Sequence, residues 1–314
     1  MNAFITSVQS VVEIVLIIAL GYILRRSGKL SDSFKGNISY LIMNIALPLS
    51  IFVSVLRYLT RGRLVSLSGG LLFAAASFFL GYVIAYLLTK IFRIRAGRRG
   101  TFINMFVNAN TIFIGLPLNL ALFGSKSMPY FLIYYVMNTI STWAIGVFFI
   151  SADDPTKDKG TKTSFNWKKL LPMPLVGFLF SLVFLLLAIP VPAWIDTTFS
   201  TVGGIVTPMS LIYIGIVLAD AGLKSIHFDR DSILVLIGRF IIAPALMIGI
   251  LHLFAAGMPS LESSTLIIQS AAPGLAVLPI LVGQSHGDVE YATNVVTTST
   301  VLFIIVVPIL MQLV

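Results

Sequence analysis

Apolar residues are concentrated in ten runs of about 20 residues, and short polar or charged segments separate each run from the next. An α-helix of this length spans the hydrocarbon core of a bilayer. We number the predicted membrane spans 1 to 10 in chain order: 4–24, 37–56, 65–90, 100–123, 128–151, 171–189, 196–219, 232–255, 263–284 and 290–312. The pattern therefore predicts an all-α integral membrane protein whose outer surface contacts the lipid bilayer.

The hydrophilic segment 152–170 is a predicted linker between two halves of five spans each, residues 1–151 and 171–314. Because each half has an odd number of spans, the second half must enter the membrane from the opposite side. Short motifs recur in the same order in both halves: Pro48-Leu-Ser50 with Pro208-Met-Ser210, Leu116-Pro117 with Leu278-Pro279, and Asn138 with Asn294. The sequence therefore predicts ten transmembrane helices arranged as two inverted five-helix repeats, an architecture associated with alternating access.

Spans 4 and 9 each carry helix-breaking residues near their midpoint, in the stretches 108–117 and 271–279. Proline removes a backbone donor and clashes with the preceding turn, and glycine loosens the helix. Lipid provides no water for the freed backbone groups, so a broken helix is stable only inside protein or beside a wet cavity. A matched pair of breaks in two repeats indicates a transporter's binding site. The alternative is that the two prolines only kink helices that pack together.

The composition supports a membrane location. Hydrophobic residues make up 57% of the chain, charged residues 11%, and the mean hydropathy is +0.99, whereas soluble domains carry about 25% charged residues. The net charge of +9 does not indicate nucleic-acid binding, because the basic residues lie in short loops. The first apolar run has no basic leader and no small-residue cleavage site, so we expect it to remain as a helix.

The basic residues predict the orientation of the chain. Sixteen of the 21 lie in the loops that follow spans 1, 3, 5 and 7, against four on the other side. Positive charge accumulates on the cytoplasmic side of membrane proteins. We therefore expect segment 152–170 to be cytoplasmic and both termini to be extracytoplasmic, in a cell membrane.

Residue patterns that support catalysis are missing from the sequence. The chain has no cysteine, which excludes thiol catalysis and disulfide bonds. No His, Asp and Glu residues cluster with metal-ligand spacing, and there is no Ser-His-Asp arrangement or phosphate-binding glycine loop. We therefore expect a protein that is not an enzyme and has no cofactor or metal.

The two breaks are expected to meet at the middle of the bilayer, because their spans run in opposite directions. The second half of each broken span then begins there with free backbone N–H groups and a positive dipole end, which favours an anion such as a carboxylate. The predicted substrate-binding residues at the breaks are Asn108, Asn110, Thr111, Gly115 and Pro117 in span 4, and Pro273, Gly274 and Pro279 in span 9.

Polar residues at helical spacing extend the predicted site into spans 5 and 10. Positions i, i+3 and i+4 lie on one face of a helix. They are occupied by Asn138, Ser141 and Thr142 in span 5, and by Asn294, Thr297 and Thr298 in span 10. These side chains either line the site or only form hydrogen bonds between helices, as Ser, Thr and Asn commonly do in membranes. Lining the site is the more favoured interpretation for the two asparagines, since a buried amide needs several hydrogen-bond partners.

Two charged residues lie within predicted spans. Glu13 is near the middle of span 1 and would carry a coupling proton if burial raised its pKa; the alternative is that it faces a wet vestibule or pairs with a neighbour. Arg239 lies in span 8. It would meet a substrate carboxylate, or it would extend toward the membrane surface or pair with Asp220. For both residues the structural alternative is favoured.

Three motifs resemble the auxin efflux carrier family, whose bacterial members are often described as malate or other organic-acid permeases. The motifs are Leu20-Gly-Tyr-Ile-Leu-Arg-Arg26, Asn44-Ile-Ala-Leu-Pro-Leu-Ser50 and Asn110-Thr-Ile-Phe-Ile-Gly-Leu-Pro117. The likeness covers all ten spans, although the second break, with Ala271 and Ala272, matches less closely than the first.

The resemblance implies a mechanism and a set of functional residues. It implies a scaffold of spans 1, 2, 6 and 7, a transport unit of spans 3–5 and 8–10 that moves like an elevator, and a homodimer formed through the scaffold. It places functional roles on Asn110, Pro117, Asn138 and Pro279.

The sequence thus predicts a secondary transporter for small organic anions, carboxylates such as malate, in a bacterial cytoplasmic membrane. The alternative is a ligand sensor built on a transporter fold that binds without transport. A channel is disfavoured, because broken helices in inverted repeats suit a gated midplane site better than an open pore.

Overall fold

The computed structural model describes residues 2–156, 172–222 and 226–312, and within these ranges all regular structure is helical. Seven helical segments are long and apolar enough to cross a membrane: Asp32–Tyr58, Gly69–Ile91, Arg99–Phe123, Ser125–Ala152, Ala193–Ala221, Arg230–Phe254 and Val289–Leu310. They correspond to predicted spans 2, 3, 4, 5, 7, 8 and 10. The chain is therefore a multi-pass, all-helical membrane protein, as predicted.

The α-helices are α1 (Asn2–Arg26), α2 (Asp32–Leu41), α3 (Leu47–Tyr58), α4 (Arg61–Ile91), α5 (Arg99–Val107), α6 (Leu116–Phe123), α7 (Met128–Ile140), α8 (Val147–Ala152), α9 (Met173–Leu187), α10 (Ala193–Gly203), α11 (Val206–Ala221), α12 (Arg230–Ile237), α13 (Ala243–Phe254), α14 (Ser260–Ser270), α15 (Leu278–Gly283) and α16 (Val289–Leu310). Predicted span 6 is the shorter helix α9, which Pro172 precedes. Predicted span 1 falls within α1. Most of the predicted linker, residues 157–170, lies outside the described residues.

Wide π-helical turns precede three of the prolines that lie within membrane spans. They comprise Ile42–Ala46, Thr111–Gly115 and Gly238–Ile242, and each ends two residues before a proline: Pro48, Pro117 and Pro244. Proline has no N–H to donate, and its ring clashes with the carbonyl group four residues earlier. A π turn widens the helix at that carbonyl and relieves the clash. These prolines therefore lie inside helical segments and do not end them.

The helix of span 4 is interrupted upstream of its proline. Helix α5 ends at Val107, and helical structure resumes at Thr111, so residues 108–110 form a gap that we call the first gap. In span 9, α14 ends at Ser270 and α15 begins at Leu278, which leaves residues 271–277 as the second gap. Pro117 and Pro279 lie in the first turns of α6 and α15.

One set of helices, α1–α3 and α9–α11, packs through glycines; we call it the first helix group. A Cβ on Gly21 of α1 would lie 2.3 Å from the carbonyl oxygen of Ile212 in α11, and a Cβ on Gly215 would lie 2.1 Å from the carbonyl oxygen of Ile18. Only glycine permits backbones to approach this closely. The close packing makes α1 and α11 a rigid pair.

Ion pairs hold the first helix group at both ends. Asp220 of α11 accepts hydrogen bonds from Arg25 Nε at 2.6 Å and from Lys35 Nζ at 2.7 Å. At the opposite end of α11's span, Arg57 pairs with Asp196 at 2.7 Å. These pairs connect α1, α2 and α3 to the α10–α11 span.

The remaining helices, α4–α8 and α12–α16, form the second helix group, and Arg98 connects them. Its guanidinium pairs with Asp229 at 2.6 Å and with Asp288 at 2.7 Å, and it lies 4.5 Å from the ring centre of Tyr291. Burial alone would raise the pKa of Asp229, but hydrogen bonds from Ser232 and the Arg98 guanidinium outweigh burial and lower the pKa to about 2. The ion cluster thus joins the loops before α5, α12 and α16.

Candidate functional site

A cavity of about 270 Å³ lies where the two gaps meet. The two segments are in direct contact, because the backbone N–H of Asn110 donates to the carbonyl oxygen of Pro273 at 2.7 Å. The described residues that line the cavity are Met43, Ala109, Asn110, Thr111, Ile112, Phe113, Tyr135, Asn138, Thr139, Thr142, Trp143, Pro172, Leu275, Ala276 and Val277. None of these side chains is charged.

The cavity has a polar wall and an apolar wall. Asn110 and Thr111 at the first gap provide an amide and a hydroxyl, and so do Asn138 and Thr139 in α7 and Thr142 in the turn that follows α7. The second gap contributes aliphatic side chains. Thr142 is buried, and its Oγ1 has no hydrogen-bond partner within the described part of the chain. A buried hydroxyl without a partner is costly, which makes this side chain of the cavity wall a candidate to bind a solute.

Asn138 supports the backbone of the first gap. Its Oδ1 accepts from the N–H of Ala109 at 2.9 Å, and its Nδ2 donates to the carbonyl oxygen of Ala109 at 2.9 Å. Because Ala109 lies in the first gap, its N–H and carbonyl groups have no helical hydrogen bonds, and buried backbone groups must be paired. The side chain therefore both replaces the missing helical hydrogen bonds and forms part of the cavity wall, which combines the two roles that the sequence left as alternatives.

Asn110 caps the helical segment that follows the first gap. Its Oδ1 accepts from the backbone N–H of Phe113 at 3.2 Å, the bond that an N-cap residue makes. The segment 111–123 is continuous and begins at the cavity, so its positive dipole end lies beside the enclosed space. Thr111 extends this end of the segment, with its Oγ1 at 3.5 Å from Asn138 Nδ2.

Asn108 and Ser141 lie behind the cavity wall and do not line it. Asn108 Nδ2 donates to the hydroxyl of Tyr82 at 3.0 Å, and Ser141 Oγ donates to Asn108 Oδ1 at 2.5 Å. Tyr82 Oη also donates to the carbonyl oxygen of Ser141 at 3.0 Å. This buried network attaches α5 and the turn after α7 to α4, so it positions the site without touching its contents.

The predicted glycines allow close packing around the gaps. Gln269 Nε2 donates to the carbonyl oxygen of Gly115 at 2.9 Å, and a Cβ on Gly115 would lie 2.2 Å from Gln269 Oε1. The N–H of Gly274 donates to Ser299 Oγ at 3.2 Å, and a Cβ there would lie 2.1 Å from Met105 Sδ. Neither glycine lines the cavity, and neither do Pro117, Pro273 and Pro279.

The polar set of span 10 lies away from the cavity. Asn294 holds the backbone of His227, accepting from its N–H at 3.0 Å and donating to its carbonyl oxygen at 2.8 Å. Thr298 Oγ1 donates to Asn294 Oδ1 at 3.1 Å. Thr297 is buried on α16 and is not among the cavity-lining residues. The asparagine of span 10 therefore fixes the loop before α12, although its spacing along the helix matches that of Asn138.

Neither charged residue lines the cavity. Arg239 is fully buried, and its guanidinium donates to the carbonyl oxygen of Phe106 at 3.2 Å and to that of Ser270. It does not extend to the membrane surface, and Asp220 is paired with other residues. Glu13 lies on an exposed face of α1.

The sequence analysis missed Tyr135, Thr139 and Trp143, which also line the cavity. With Asn138 and Thr142 they occupy positions i, i+3, i+4, i+7 and i+8 of the α7 segment, which is a continuous helical stripe. Extending the polar set along the same face would have identified them. Gln269, which connects α14 to the π turn Thr111–Gly115, carried no comparable signal.

Within the described ranges, no group of three or more His, Cys, Asp or Glu residues is arranged to hold a metal ion. The cavity offers amides, hydroxyls and the N-terminal end of a helical segment. Such an arrangement can bind a solute by hydrogen bonding and by a positive dipole end, with aliphatic contact on the opposite side.

Comparison with known proteins finds relatives along the whole chain. A family model described as a membrane transport protein matches residues 6–311. An uncharacterized transporter of Methanothermobacter thermautotrophicus is 24% identical over 310 residues, which cover 97% of both chains. The uncharacterized transporter MJ1031 of Methanocaldococcus jannaschii is 24% identical over 308 residues, covering 95% of this chain and 96% of the relative.

Proposed function

The chain belongs to the membrane transport protein family, which agrees with its resemblance to auxin efflux carriers, and from this premise we propose that it is a secondary transporter of small organic anions. The proposed substrates are carboxylates such as malate. The proposed site is the cavity between the two gaps, and the proposed mechanism is alternating access.

The observation that carries this proposal is the chemistry of the cavity. The positive end of segment 111–123 lies at the cavity, and a helix end is equivalent to about half an elementary charge. The described lining residues include no carboxylate that would repel an anion. The hydroxyls and amides of the polar wall provide donors for carboxylate oxygens, and the aliphatic second gap provides a surface for the carbon chain.

Two inverted repeats with broken spans 4 and 9 would bring both gaps to the middle of the membrane. The hydrogen bond from Asn110 to Pro273 supports such a crossing, because these residues belong to the two predicted breaks. Gln269 supports it as well, since its side chain reaches from α14 to Gly115. A crossing of this kind is the usual location of a transporter's substrate site.

An elevator-like movement is proposed for the second helix group relative to the first. Each ion pair named above connects residues of a single group, as Arg25 with Asp220 and Arg98 with Asp288 illustrate. The boundary between the groups is mainly apolar: Phe113 stacks on Tyr213 at 4.3 Å, and aliphatic residues of α1, α6, α11 and α16 meet nearby. A hydrogen bond from Arg61 Nε to the carbonyl oxygen of Leu185, at 3.2 Å, also crosses it. A mainly apolar boundary leaves few directional bonds to break when packed helices slide, which supports two bodies that move as units.

We place the carrier in a cytoplasmic membrane with both termini outside, and we assign the first helix group as the scaffold through which two copies would dimerise. The basic loops support the orientation. The apolar exposed face of α9, which includes Phe180 and Leu187, supports burial of this surface in lipid or against another copy.

Uptake by purified protein in liposomes tests the proposal. Labelled mono- and dicarboxylates, malate among them, are supplied with and without a pH gradient, and a neutral analogue of similar size serves as the comparison. We expect saturable uptake of at least one carboxylate and none of the neutral analogue. Absence of uptake for every carboxylate, with the protein folded and correctly inserted, would refute the assignment.

A substitution links that activity to the cavity. Thr142→Val removes the unpartnered hydroxyl while keeping the side-chain volume, and we expect about a tenfold rise in KM, equivalent to the loss of one hydrogen bond to a charged group. Thr293→Val is the matched control, because Thr293 is partly buried on α16, does not line the cavity, and its hydroxyl donates to the carbonyl oxygen of Val289. Equal KM values for the two variants would show that the substrate does not contact Thr142.

A further inference from the structure

Arg239 connects the C-terminal ends of the two helices that precede the gaps. It lies in the π turn between α12 and α13, and its side chain also hydrogen-bonds Tyr134 of α7. Its guanidinium donates to the carbonyl oxygens of Phe106 in the last turn of α5 and of Ser270 at the end of α14. One side chain therefore binds both helix ends.

Each of these carbonyl groups has lost its partner in the helix. In a continuous α-helix, Phe106 would accept from the N–H of Asn110, and Ser270 would accept from the N–H of Gly274. The N–H of Asn110 donates instead to Pro273, and the N–H of Gly274 donates to Ser299. Arg239 thus replaces the equivalent missing bond at both gaps, which satisfies two buried acceptors.

The charges also match. The C-terminal end of a helix is equivalent to about half a negative charge, so the two ends together carry about one. The guanidinium supplies one positive charge in a place where its own head group is fully buried. A buried cation is stable only when it is paired and hydrogen-bonded. Here the two helix ends act as its counter-charge and bind its two terminal nitrogens, while Nε has no partner among the described residues.

A glycine makes this position accessible. Gly238 precedes Arg239, and a Cβ at Gly238 would lie 2.1 Å from Cδ2 of the Phe106 ring. Only a residue without a side chain lets the π turn approach α5 so closely. The backbone at this point is thus shaped to bring the guanidinium to the end of α5.

We propose that Arg239 is a positioning residue of the carrier: it joins the C-terminal ends of α5 and α14 and neutralises their dipoles, so that the two gaps form one unit. The positive N-terminal end of segment 111–123 is then left without an internal counter-charge beside the cavity. The effect on transport rests on the proposed function, whereas the connection between the helix ends does not.

Amide hydrogen exchange tests the connection without any substrate. The variants are Arg239→Met, which removes the guanidinium, and Arg239→Lys, which keeps one charged donor. Arg230→Met is the control, since Arg230 is an exposed residue of the same span. We expect exchange at Asn110 and Gly274 to be about tenfold faster or more in Arg239→Met, intermediate in Arg239→Lys and unchanged in the control.

Uptake kinetics then separate the connection from the transport role. We expect Arg239→Met to lower kcat about tenfold or more and Arg239→Lys to restore part of it, with KM changed less than in Thr142→Val. Unchanged exchange at both gaps in Arg239→Met would overturn the proposal. Faster exchange in a protein that transports no carboxylate would leave the connection established and refute the proposed function instead.

Gly238→Ala keeps the test decisive if Arg239→Met does not fold. The added methyl group pushes the π turn away from Phe106 while the arginine stays in place. We expect faster exchange at Asn110, in the same direction as in Arg239→Lys. Normal exchange at Asn110 in both Gly238→Ala and Arg239→Lys would also overturn the proposal.

Discussion

Replacing Asn138 by alanine should reduce the stability of the protein as well as its activity. The substitution removes the donor and the acceptor that hold the Ala109 peptide at 2.9 Å each. The sequence alone predicts that Asn138→Ala and Asn110→Ala each weaken transport and leave expression intact. The structure changes that expectation for Asn138, because this side chain satisfies backbone groups that no helix satisfies.

The magnitude follows from the two lost bonds. The Ala109 carbonyl oxygen keeps its hydrogen bond from the N–H of Thr111 at 2.9 Å, so the Ala109 N–H is the group left without a partner. An unsatisfied buried donor costs about 1–3 kcal/mol. Asn138 lines the cavity, however, so water can enter beside the shortened side chain and replace part of the loss. We therefore expect a loss of about 1 kcal/mol, near the lower end of that range.

Thermal unfolding of the purified protein in detergent measures this loss. Asn119→Ala is the matched control, because Asn119 is also a buried asparagine but donates a single bond, to Ser127 Oγ at 2.7 Å, and does not line the cavity. Asn138→Ala should lower the unfolding temperature more than Asn119→Ala does. An equal or smaller decrease would refute the view that Asn138 replaces the missing helical bonds of the first gap.

Asn138→Asp separates stability from substrate binding. An ionised aspartate still accepts from the Ala109 N–H but has no donor for the Ala109 carbonyl group. It also places a negative charge in the wall of the proposed anion site, where Coulomb repulsion is weakly screened. We expect Asn138→Asp to abolish carboxylate uptake at a stability close to that of Asn138→Ala; retention of uptake would contradict an anion site.

Two further outcomes are expected. Gly115→Ala places a Cβ 2.2 Å from Gln269 Oε1 and should displace the side chain that joins α14 to the π turn after the first gap, lowering uptake at least tenfold. Gly249→Ala, whose added Cβ meets nothing within 4 Å, is the control, and equal uptake by the two variants would contradict this expectation. The pKa of Asp229 is held at about 2, below its ordinary value of 3.8, so the ion cluster contributes stability above about pH 4 that is lost as the pH falls toward 2. Unfolding temperatures measured across this range should show an acid-dependent decrease that is much smaller in Arg98→Met, and identical pH profiles would contradict the role of the cluster.

The sequence predicted the helical content and the multi-pass character well, because hydrophobic runs reflect a requirement imposed by lipid on every span. It was less informative about where a helix is interrupted. The sequence placed the helix-breaking residues of span 4 in the stretch 108–117 without locating the interruption within it; the gap lies at residues 108–110, and a π turn precedes Pro117. Whether a helix can accommodate a proline depends on how the turn before it packs, and the sequence does not reveal that packing.

Side-chain partners were harder to predict than helices. Asn138 and Asn294 have the same spacing relative to neighbouring polar residues, yet one holds Ala109 at the cavity and the other holds His227 in a loop. Helical spacing fixes which face of a helix a residue occupies, and the depth along the helix and the identity of the facing segment decide its role. Arg239 could not be placed for the same reason, since its partners are backbone carbonyl groups that belong to distant parts of the chain.

The uneven composition of the cavity wall has an evolutionary consequence. Every polar side chain among the described lining residues belongs to residues 109–143, and the later half of the chain contributes Pro172, Leu275, Ala276 and Val277. Ligand preference can therefore diverge through substitutions confined to one half, while the other half remains under selection for packing. Exchanging residues 100–143 between distant homologues should transfer the choice of cargo, and exchanging the later half should not.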